Sequence, residues 1–514
     1  MNSHFLACDL GAESGRLMLG SLVDGHLTLE EIHRWPNPPV KSGDSLHWDF
    51  EGLLMELAVG LGKAGAMRLA LDAISTDSWG VDYVLFDSQH RLRPPVFHYR
   101  DPRSSQGVER VHSQIAQEAV FAETGIQFMP FNTLFQLAAE APGRLVSGTK
   151  LLPIADAFNH WLSGVSRAEV SIASTTQLYN PVTQNWSARL TMDVLGLPAD
   201  ALPPLVPSGT VLGPLRPELA AASGLTGMQV IASCSHDTGA AVVAVPASGS
   251  GGGATPEWAY LSSGTWSLLG AEMGAPLVTE ACRNANFTNE IGYGNSVRLL
   301  KNIVGLWLIQ ECRREWASAG QEYSYAQLAE FAVGGEPFRS VVDATDPRFV
   351  TPGGMIGRIA DFCRESDQPI PRNPAEFIRC CLESLALAYA VNLRSLEELL
   401  GTRFRRLHIV GGGSRNALLN QMTADACRVS VMAGPIEATA AGNVLVQAMA
   451  LGRIRSLAEA REIIARSFDC QIYSPQSDLN GSWENARRRL ESRERSRPRS
   501  ASATGRSGAT STSQ

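Results

Sequence analysis

Asp9-Leu10-Gly11-Ala12-Glu13-Ser14-Gly15-Arg16 is the stretch on which the reading of this chain turns. An apolar run from Phe5 to Leu10 carries an acid at its end. A turn of small residues with one hydroxyl then leads into a second run, Arg16 to Val23. Glycines let backbone N–H groups approach an anion, the Ser14 hydroxyl can donate to it, and Asp9 can hold a magnesium ion through water. A glycine-rich hairpin alone is equally an ordinary turn. Its weight comes from a second copy: Leu261-Ser262-Ser263-Gly264-Thr265-Trp266 repeats the design between the runs Ala259 to Ser263 and Trp266 to Met273. Two such hairpins facing each other would grip one polyphosphate between two domains.

Outward from these turns, Asp24-Gly25 between alternating runs predicts a hairpin into a third strand, His26 to Trp35. Leu53 to Leu71 has helical periodicity, and Ala73 to Trp79 and Val81 to Asp87 read as strands. Helices and loops dominate from Ser113 to Gly227. Val230 to Ser235 is a strand, and Asp237-Thr238-Gly239 opens an Ala/Val helix. Ser248 to Ala254 reads as a Gly/Ser surface loop. Asn373-Pro374-Ala375-Glu376 offers an N-cap, a proline at the first helical position and an acid at the third. The stripe Phe377, Cys381, Leu385, Ala388, Leu396, Leu399 that follows is core packing. From Glu491 to Gln514 no side chain larger than alanine is apolar, which predicts a disordered tail.

Several sites have two readings. His408 to Val410 runs into Gly411-Gly412-Gly413, either a backbone surface for adenine or ribose or a plain strand-to-helix turn. In Ser235-His236-Asp237-Thr238-Gly239, Asp237 is either a helix N-cap or a general base flanked by substrate-holding His236 and Thr238. Asp77-Ser78-Trp79-Gly80-Val81-Asp82 and His98-Tyr99-Arg100-Asp101 set polar groups beside aromatics, which suits a sugar, or a structural cluster. Gly60-Leu61-Gly62-Lys63-Ala64-Gly65 matches the dinucleotide G-x-G-x-x-G but lies at the end of a helical stretch, so it is a helix terminus. G-x-x-x-x-G-K-[ST] and the protein-kinase motifs are absent, and the histidines lack metal-ligand spacing.

With 514 residues, 44% apolar and 18% charged, the chain has the balance of a multidomain globular enzyme. The net charge of −7 is spread without long runs, which argues against nucleic acid or membrane as partner. No apolar stretch reaches membrane-spanning length, and the first residues do not form a signal peptide. Nine cysteines without a C-x-x-C pair fit the cytoplasm, with Cys363 and Cys380 expected as reduced thiols rather than a disulfide.

Taken together, these segments resemble the FGGY carbohydrate kinases from about Phe5 to about Ser474. The resemblance rests on Asp9 to Arg16, Thr76 to Asp82, Gly125 to Leu134, Ala173 to Leu178, Ser235 to Thr238, Leu261 to Leu268, Leu300 to Trp307 and His408 to Asn416. It implies an α/β fold of two ribonuclease-H-like domains of the actin and hexokinase type, with the active site in the cleft between them. Residues 1–245 would hold sugar and phosphate, and residues 255–484 the nucleotide. It also implies transfer of the ATP γ-phosphoryl, with Mg2+, to the 1-hydroxyl of L-rhamnulose in L-rhamnose breakdown. The alternatives are another deoxyketose such as L-fuculose, or a non-catalytic ATP switch of the same fold. By the same resemblance, Ala12, Glu13, Ser14, Gly15, Arg16 and Thr265 would meet the phosphates, and Gln310 and Gly412 the rest of the nucleotide. Gly80, His236, Asp237, Thr238 and Asn302 would meet the sugar, with Asp237 the proton acceptor. Glu13 departs from the family, which has a small residue there. A carboxylate would repel ATP unless it points to solvent or assists the metal.

Overall fold

Strand β1 (Ser3–Leu10) is buried along nearly its whole length, as its unbroken apolar sequence requires of a central strand. In the computed structural model, which describes residues 2–247 and 256–496, β1 turns into β2 (Ser14–Val23), and Asp24-Gly25 turns β2 into β3 (His26–Pro36). Helix α1 (Phe50–Ala66) follows, capped by the Asp49 side chain, which accepts from the Gly52 N–H at 3.0 Å. Gly60 to Gly65 form its last turns, so that glycine pattern is indeed a helix end. Strands β4 (Ala73–Ser78), β5 (Thr210–Pro214) and β6 (Gln229–Ala232) complete a six-stranded sheet in the order β5-β6-β4-β1-β2-β3. Helix α2 (Asp237–Val243) leaves β6 toward the second half of the chain.

The second half repeats this plan. β7 (Trp258–Ser263) turns into β8 (Trp266–Met273), followed by β9 (Thr288–Ile291), β10 (Val297–Val304), β11 (Arg406–Val410), β12 (Ser430–Ala433) and β13 (Gln471–Tyr473). The sheet order is β9-β10-β8-β7-β11-β12-β13. Within it, β10-β8-β7-β11-β12 matches β3-β2-β1-β4-β6 strand for strand, with two antiparallel pairs on one side of the centre and two parallel pairs on the other. The two ribonuclease-H-like units expected from the sequence are therefore present. Helix α3 (Trp307–Ser318) follows β10. Helix α4 (Pro374–Leu400) begins where the Asn373 side chain accepts from the Glu376 N–H at 3.0 Å. Its stripe from Phe377 to Leu396 lies in the second unit's core, as expected.

Helix α5 (Ala438–Ala450) joins the two units. Its small residues let it cross α2 at backbone contact: a Cβ on Gly442 would stand 1.8 Å from the Ala240 carbonyl oxygen. From the same helix, Asn443 Nδ2 donates to Asp77 Oδ2 at 2.5 Å and Gln447 Nε2 to the Leu6 carbonyl at 2.9 Å. One apolar core thus runs from Phe5 and Met18 through Ala240 and Val444 to Trp258 and Tyr260.

One expectation needs revision. Helix α6 (Asn480–Ser496) carries residues 491–496 of the stretch read as disordered. Ion pairs from Arg487 to Glu484 and Glu491, at helical spacing, support it where apolar content does not. The remaining residues of that stretch, 497–514, lie outside the described residues, as does the Gly/Ser loop. Cys363 and Cys380 are both buried, reduced thiols. No helix among the described residues is long and apolar enough to cross a membrane.

Gly→Ala in a helix interior ordinarily stabilises by roughly 0.5–1 kcal/mol. At Gly442 the new methyl must displace a neighbouring helix backbone, so Gly442→Ala should instead cost about 1–3 kcal/mol, as overpacking does. Urea unfolding measures the sign; a gain in stability would show that the crossing is looser than described here.

Candidate functional site

The β1–β2 and β7–β8 turns open onto one cleft between the two units, and β6–α2 forms its floor. The first turn is closed by the Gly11 N–H donating to the Ser14 carbonyl at 2.9 Å, and Asn37 Nδ2 braces it by donating to the Gly11 carbonyl at 3.1 Å. The second is closed by the Gly264 N–H on the Trp266 carbonyl at 2.9 Å. The entry to α3 braces it, with the Leu306 N–H on the Gly264 carbonyl at 3.0 Å. Gly11 and Ala12 line the cleft from one side, and Ser263 to Trp266 and Gly411-Gly412 from the other. His236, Asp237, Thr238, Gly80 and Asn302 line its inner end.

Asp237 is the first residue of α2 rather than its N-cap, a position His236 occupies. Its Oδ1 accepts from the Thr238 N–H at 2.5 Å and from Thr238 Oγ1 at 3.1 Å, and about a third of its side chain (31%) remains open to the cleft. Burial and then the charge of Asp9 push its carboxyl above the ordinary range, and His236 beside it offsets part of the rise. His236 is fixed from behind. Arg298 Nη2 donates to its Nδ1 at 3.0 Å, and since a guanidinium can only donate, the ring proton falls on Nε2, 3.4 Å from Asp237 Oδ1. The arrangement is a carboxylate with raised basicity, oriented by an imidazole, between two backbone turns that suit anions. It can take a proton from a hydroxyl while a phosphate group lies across the turns.

Residues 7–244 match the N-terminal domain, and residues 259–451 the C-terminal domain, of the FGGY family of carbohydrate kinases. The chain belongs to this family. It is 41% identical to a rhamnulokinase from Enterococcus faecalis over 91% of this chain and 94% of that protein. A rhamnulokinase from Bacteroides thetaiotaomicron is also 41% identical, over 95% of this chain and 98% of its own length. Among solved structures, ligand-bound xylulose kinase from Lactobacillus acidophilus matches with a TM-score of 0.78 at 14% identity, covering 96% of this chain and 98% of that one. Plasmodium falciparum glycerol kinase with ADP matches at 0.75 and 13% identity, over 96% and 98%. These two show a shared fold.

Against this family background, the residues singled out in the sequence separate into two groups. Ala12, Gly80, His236, Asp237, Thr238, Thr265, Asn302 and Gly412 all face the cleft. Gly412 is exposed, and a Cβ there would meet no protein atom within 4 Å, so nothing in the fold requires glycine. Gln310 stands behind the second turn, its Nε2 donating to Thr265 Oγ1 at 3.2 Å. Asn302 is pinned across the domain boundary, its backbone N–H and Nδ2 both donating to Gln127 Oε1 at 2.9 and 3.0 Å.

The other group is held within the protein. Arg16 reaches Asp9 Oδ2 and Glu437 Oε2, both at 2.5 Å, so its charge is matched from the two sides of the cleft. Glu13 turns out to an ion pair with Arg314 of α3, which resolves the family departure: its charge is neutralised at the cleft's rim. Ser14 opens β2, with its Oγ at 3.5 Å from Arg34 Nη1. Gly15 is glycine because a Cβ would sit 2.3 Å from the Trp35 ring; Gly80, although it lines the cleft, is likewise glycine for packing, since a Cβ would sit 2.7 Å from Thr175 Oγ1. Asp9 lies at the end of β1 beside Asp77. Burial and then Asp9 push the Asp77 carboxyl well above its usual range. Among the described residues no group of three or more His, Cys, Asp or Glu could hold a metal ion.

The sugar-type aromatic clusters are partly structural. Trp79 and Tyr99 face the cleft, but Asp82 is buried beneath them. Its Oδ2 accepts from Trp48 Nε1 at 2.6 Å, Trp79 Nε1 at 2.9 Å and the Tyr99 N–H at 3.2 Å, and its Oδ1 accepts from Gln136 Nε2 at 2.9 Å. Burial pushes this carboxyl up to about 6 despite the four donors. Sequence reasoning missed Glu290 and Thr288, which also line the cleft. The available signal was Thr288-Asn289-Glu290, three polar residues in a row where a buried strand expects apolar ones.

Asp82→Asn tests the scaffold. An amide can present an acceptor on only one side, so at least one buried donor loses its partner. Stability should fall by about 1–3 kcal/mol in urea unfolding. Unchanged stability with a selectively weakened sugar KM would instead make Asp82 a ligand contact.

Proposed function

We propose that the protein is a rhamnulokinase, transferring the γ-phosphoryl group of ATP to the 1-hydroxyl of L-rhamnulose to give L-rhamnulose 1-phosphate and ADP. The observation that carries this reading is Asp237, a cleft carboxylate of raised basicity at the meeting point of two backbone anion turns, in a chain 41% identical to rhamnulokinases along nearly its whole length. The setting is the cytoplasm, where the chain feeds L-rhamnose breakdown with ATP and a small sugar as its partners, and with neither nucleic acid nor membrane.

Phosphoryl transfer asks a protein mainly for positioning and charge neutralisation. The turns at Gly11-Ala12 and Gly264-Thr265 cradle the phosphates, and Gly411-Gly412 leaves room for the rest of the nucleotide against bare backbone. Mg2+ would enter on the nucleotide as part of the substrate, and Asp9, at the end of β1, is the carboxylate that would hold it through water. Asn302 and His236 fix the sugar, and Thr238 keeps the Asp237 carboxylate turned to the reacting hydroxyl. Asp237 accepts the hydroxyl proton as the oxygen–phosphorus bond forms, and His236 Nε2–H supports the carboxylate from its far side. ADP release measured over a panel of ketoses tests the sugar assignment; faster turnover of L-fuculose than of L-rhamnulose would replace it.

Asp237→Asn keeps the size and most of the hydrogen bonding but removes the base. kcat should fall by roughly 10²–10⁴-fold, while calorimetric sugar binding weakens far less. The wild-type pH profile gives an independent check. With the Asp237 carboxyl raised in the folded protein, the base gains its proton at higher pH than a free aspartate. The acid limb of kcat/KM should therefore lie above the ordinary carboxylate value of 3.8, activity falling as pH drops through the raised value. Near-normal turnover by the Asn variant would remove Asp237 from the mechanism.

A further inference from the structure

One carboxylate in the cleft wall is not used by phosphoryl transfer. Glu290, on β9, lines the same cavity as Asp237 and Asn302 yet is only 4% exposed. Burying a carboxylate is costly unless cations and donors compensate for its lost hydration. Two groups stand close: Arg298 Nη2 at 3.2 Å and His236 Nδ1 at 3.3 Å from Glu290 Oε2. Neither is aligned to donate a hydrogen bond, so Oε2 accepts none among the described residues. Burial works to raise this carboxyl, but the charge of Arg298 and the polar groups around it, Asn302 among them, outweigh it and hold it below the ordinary range. The protein thus keeps a charged acceptor in the cleft wall, with one of its oxygens, Oε2, lacking a hydrogen-bond donor among the described residues.

The position relates this acceptor to the reacting one. Glu290 and Asp237 lie at the two nitrogen edges of the His236 ring, Glu290 at Nδ1 and Asp237 at Nε2. A polyol with one hydroxyl on Asp237 that extends along the imidazole would bring a hydroxyl from another carbon toward Glu290. Arg298 is fully buried, and its Nε donates to the Ile291 carbonyl at 3.2 Å, so the cation that compensates Glu290 is held by the sheet rather than by the ligand. We propose that Glu290 accepts a hydrogen bond from a hydroxyl of the acceptor sugar other than the one phosphorylated, and so is a specificity-determining residue of the sugar site. The site thereby selects a ketose with a donor at that carbon. A sugar lacking it leaves a buried carboxylate unsatisfied, which is how polar sites reject deoxy analogues most strongly. This inference rests on the ketose-kinase reading above.

The test compares the full-length wild type with Glu290→Gln and Glu290→Asp, using L-rhamnulose and its monodeoxy analogues at saturating ATP. Glu290→Asp keeps the charge that Arg298 requires but withdraws the acceptor by one methylene, so it carries the test even where Glu290→Gln fails to fold. Hydrogen bonds to charged groups set the scale, and the sugar KM should rise by roughly tenfold or more. The KM for ATP should stay within about twofold. In the wild type one monodeoxy analogue should be poorer by a similar factor, and this penalty should largely vanish in Glu290→Asp. A sugar KM unchanged in Glu290→Asp, or an equal rise in both KM values with lowered stability, overturns the proposal while leaving the kinase reading intact. Failure of the wild type to turn over any ketose takes down both.

Discussion

The backbone crossing of α2 and α5 at Gly442 and Ala240 is the constraint from which the site's geometry follows. α2 begins at Asp237, and α5 follows Glu437, so the crossing sets the floor of the cleft and one of its walls together. Close approach alone would allow sliding. Asn443 and Gln447 prevent it by donating to Asp77 and to the Leu6 carbonyl, which ties α5 to the two central parallel strands of the first sheet. The β1–β2 turn at the end of those strands is thereby held opposite the β7–β8 turn of the second sheet. Ion pairs from Arg16 to Glu437 and from Glu13 to Arg314 then bridge the two units above the crossing.

The cleft gathers more acid than a polyanion site should tolerate, and each acid is handled differently. Arg16 matches Asp9, and Arg314 matches Glu13. Arg298 compensates Glu290. Asp77 has neither cation nor exposure, and burial drives it toward its neutral form. Among the described residues Asp237 has Thr238 as hydrogen-bond donor and His236 as neighbour, and it keeps an open face. Among these acids it alone combines an open face with no arginine partner among the described residues, which is the condition a proton acceptor needs.

The parts of this design legible in the sequence are those in which local chemistry and periodicity agree. The two acid- or serine-flanked glycine hairpins, the Asn373-Pro374 helix start and the strand before Gly411 all fall where the residues place them, because each is specified within a few positions. The internal repeat follows from finding the hairpin twice. What stayed hidden depends on residues far apart in the chain. Asp82 stays open between a sugar contact and a structural role until Trp48, Gln136 and Tyr99 converge on it. Glu290 draws no reading from the sequence until the fold sets Arg298 and His236 around it. Residues 491–496 read as disordered because composition takes no account of i,i+4 ion pairs.

Glycine shows the same limit most sharply, since one residue type serves opposite purposes in this cleft. Gly15 and Gly80 belong to motifs that suggest ligand contact, yet each is glycine because a protein side chain, Trp35 or Thr175, already fills the space of its missing Cβ. Gly412 sits in the least distinctive of the motifs, a run of three glycines, and its missing Cβ leaves empty cleft. Glycine demanded by packing is explained by the protein's own atoms, whereas Gly412 leaves unfilled space at the cleft wall that no protein atom accounts for. That asymmetry shifts the weight of the glycine evidence from the β1–β2 turn, where it was first read, to the β11 end. In the first turn Gly11 and Ala12 line the cleft, while Gly15 serves the sheet behind.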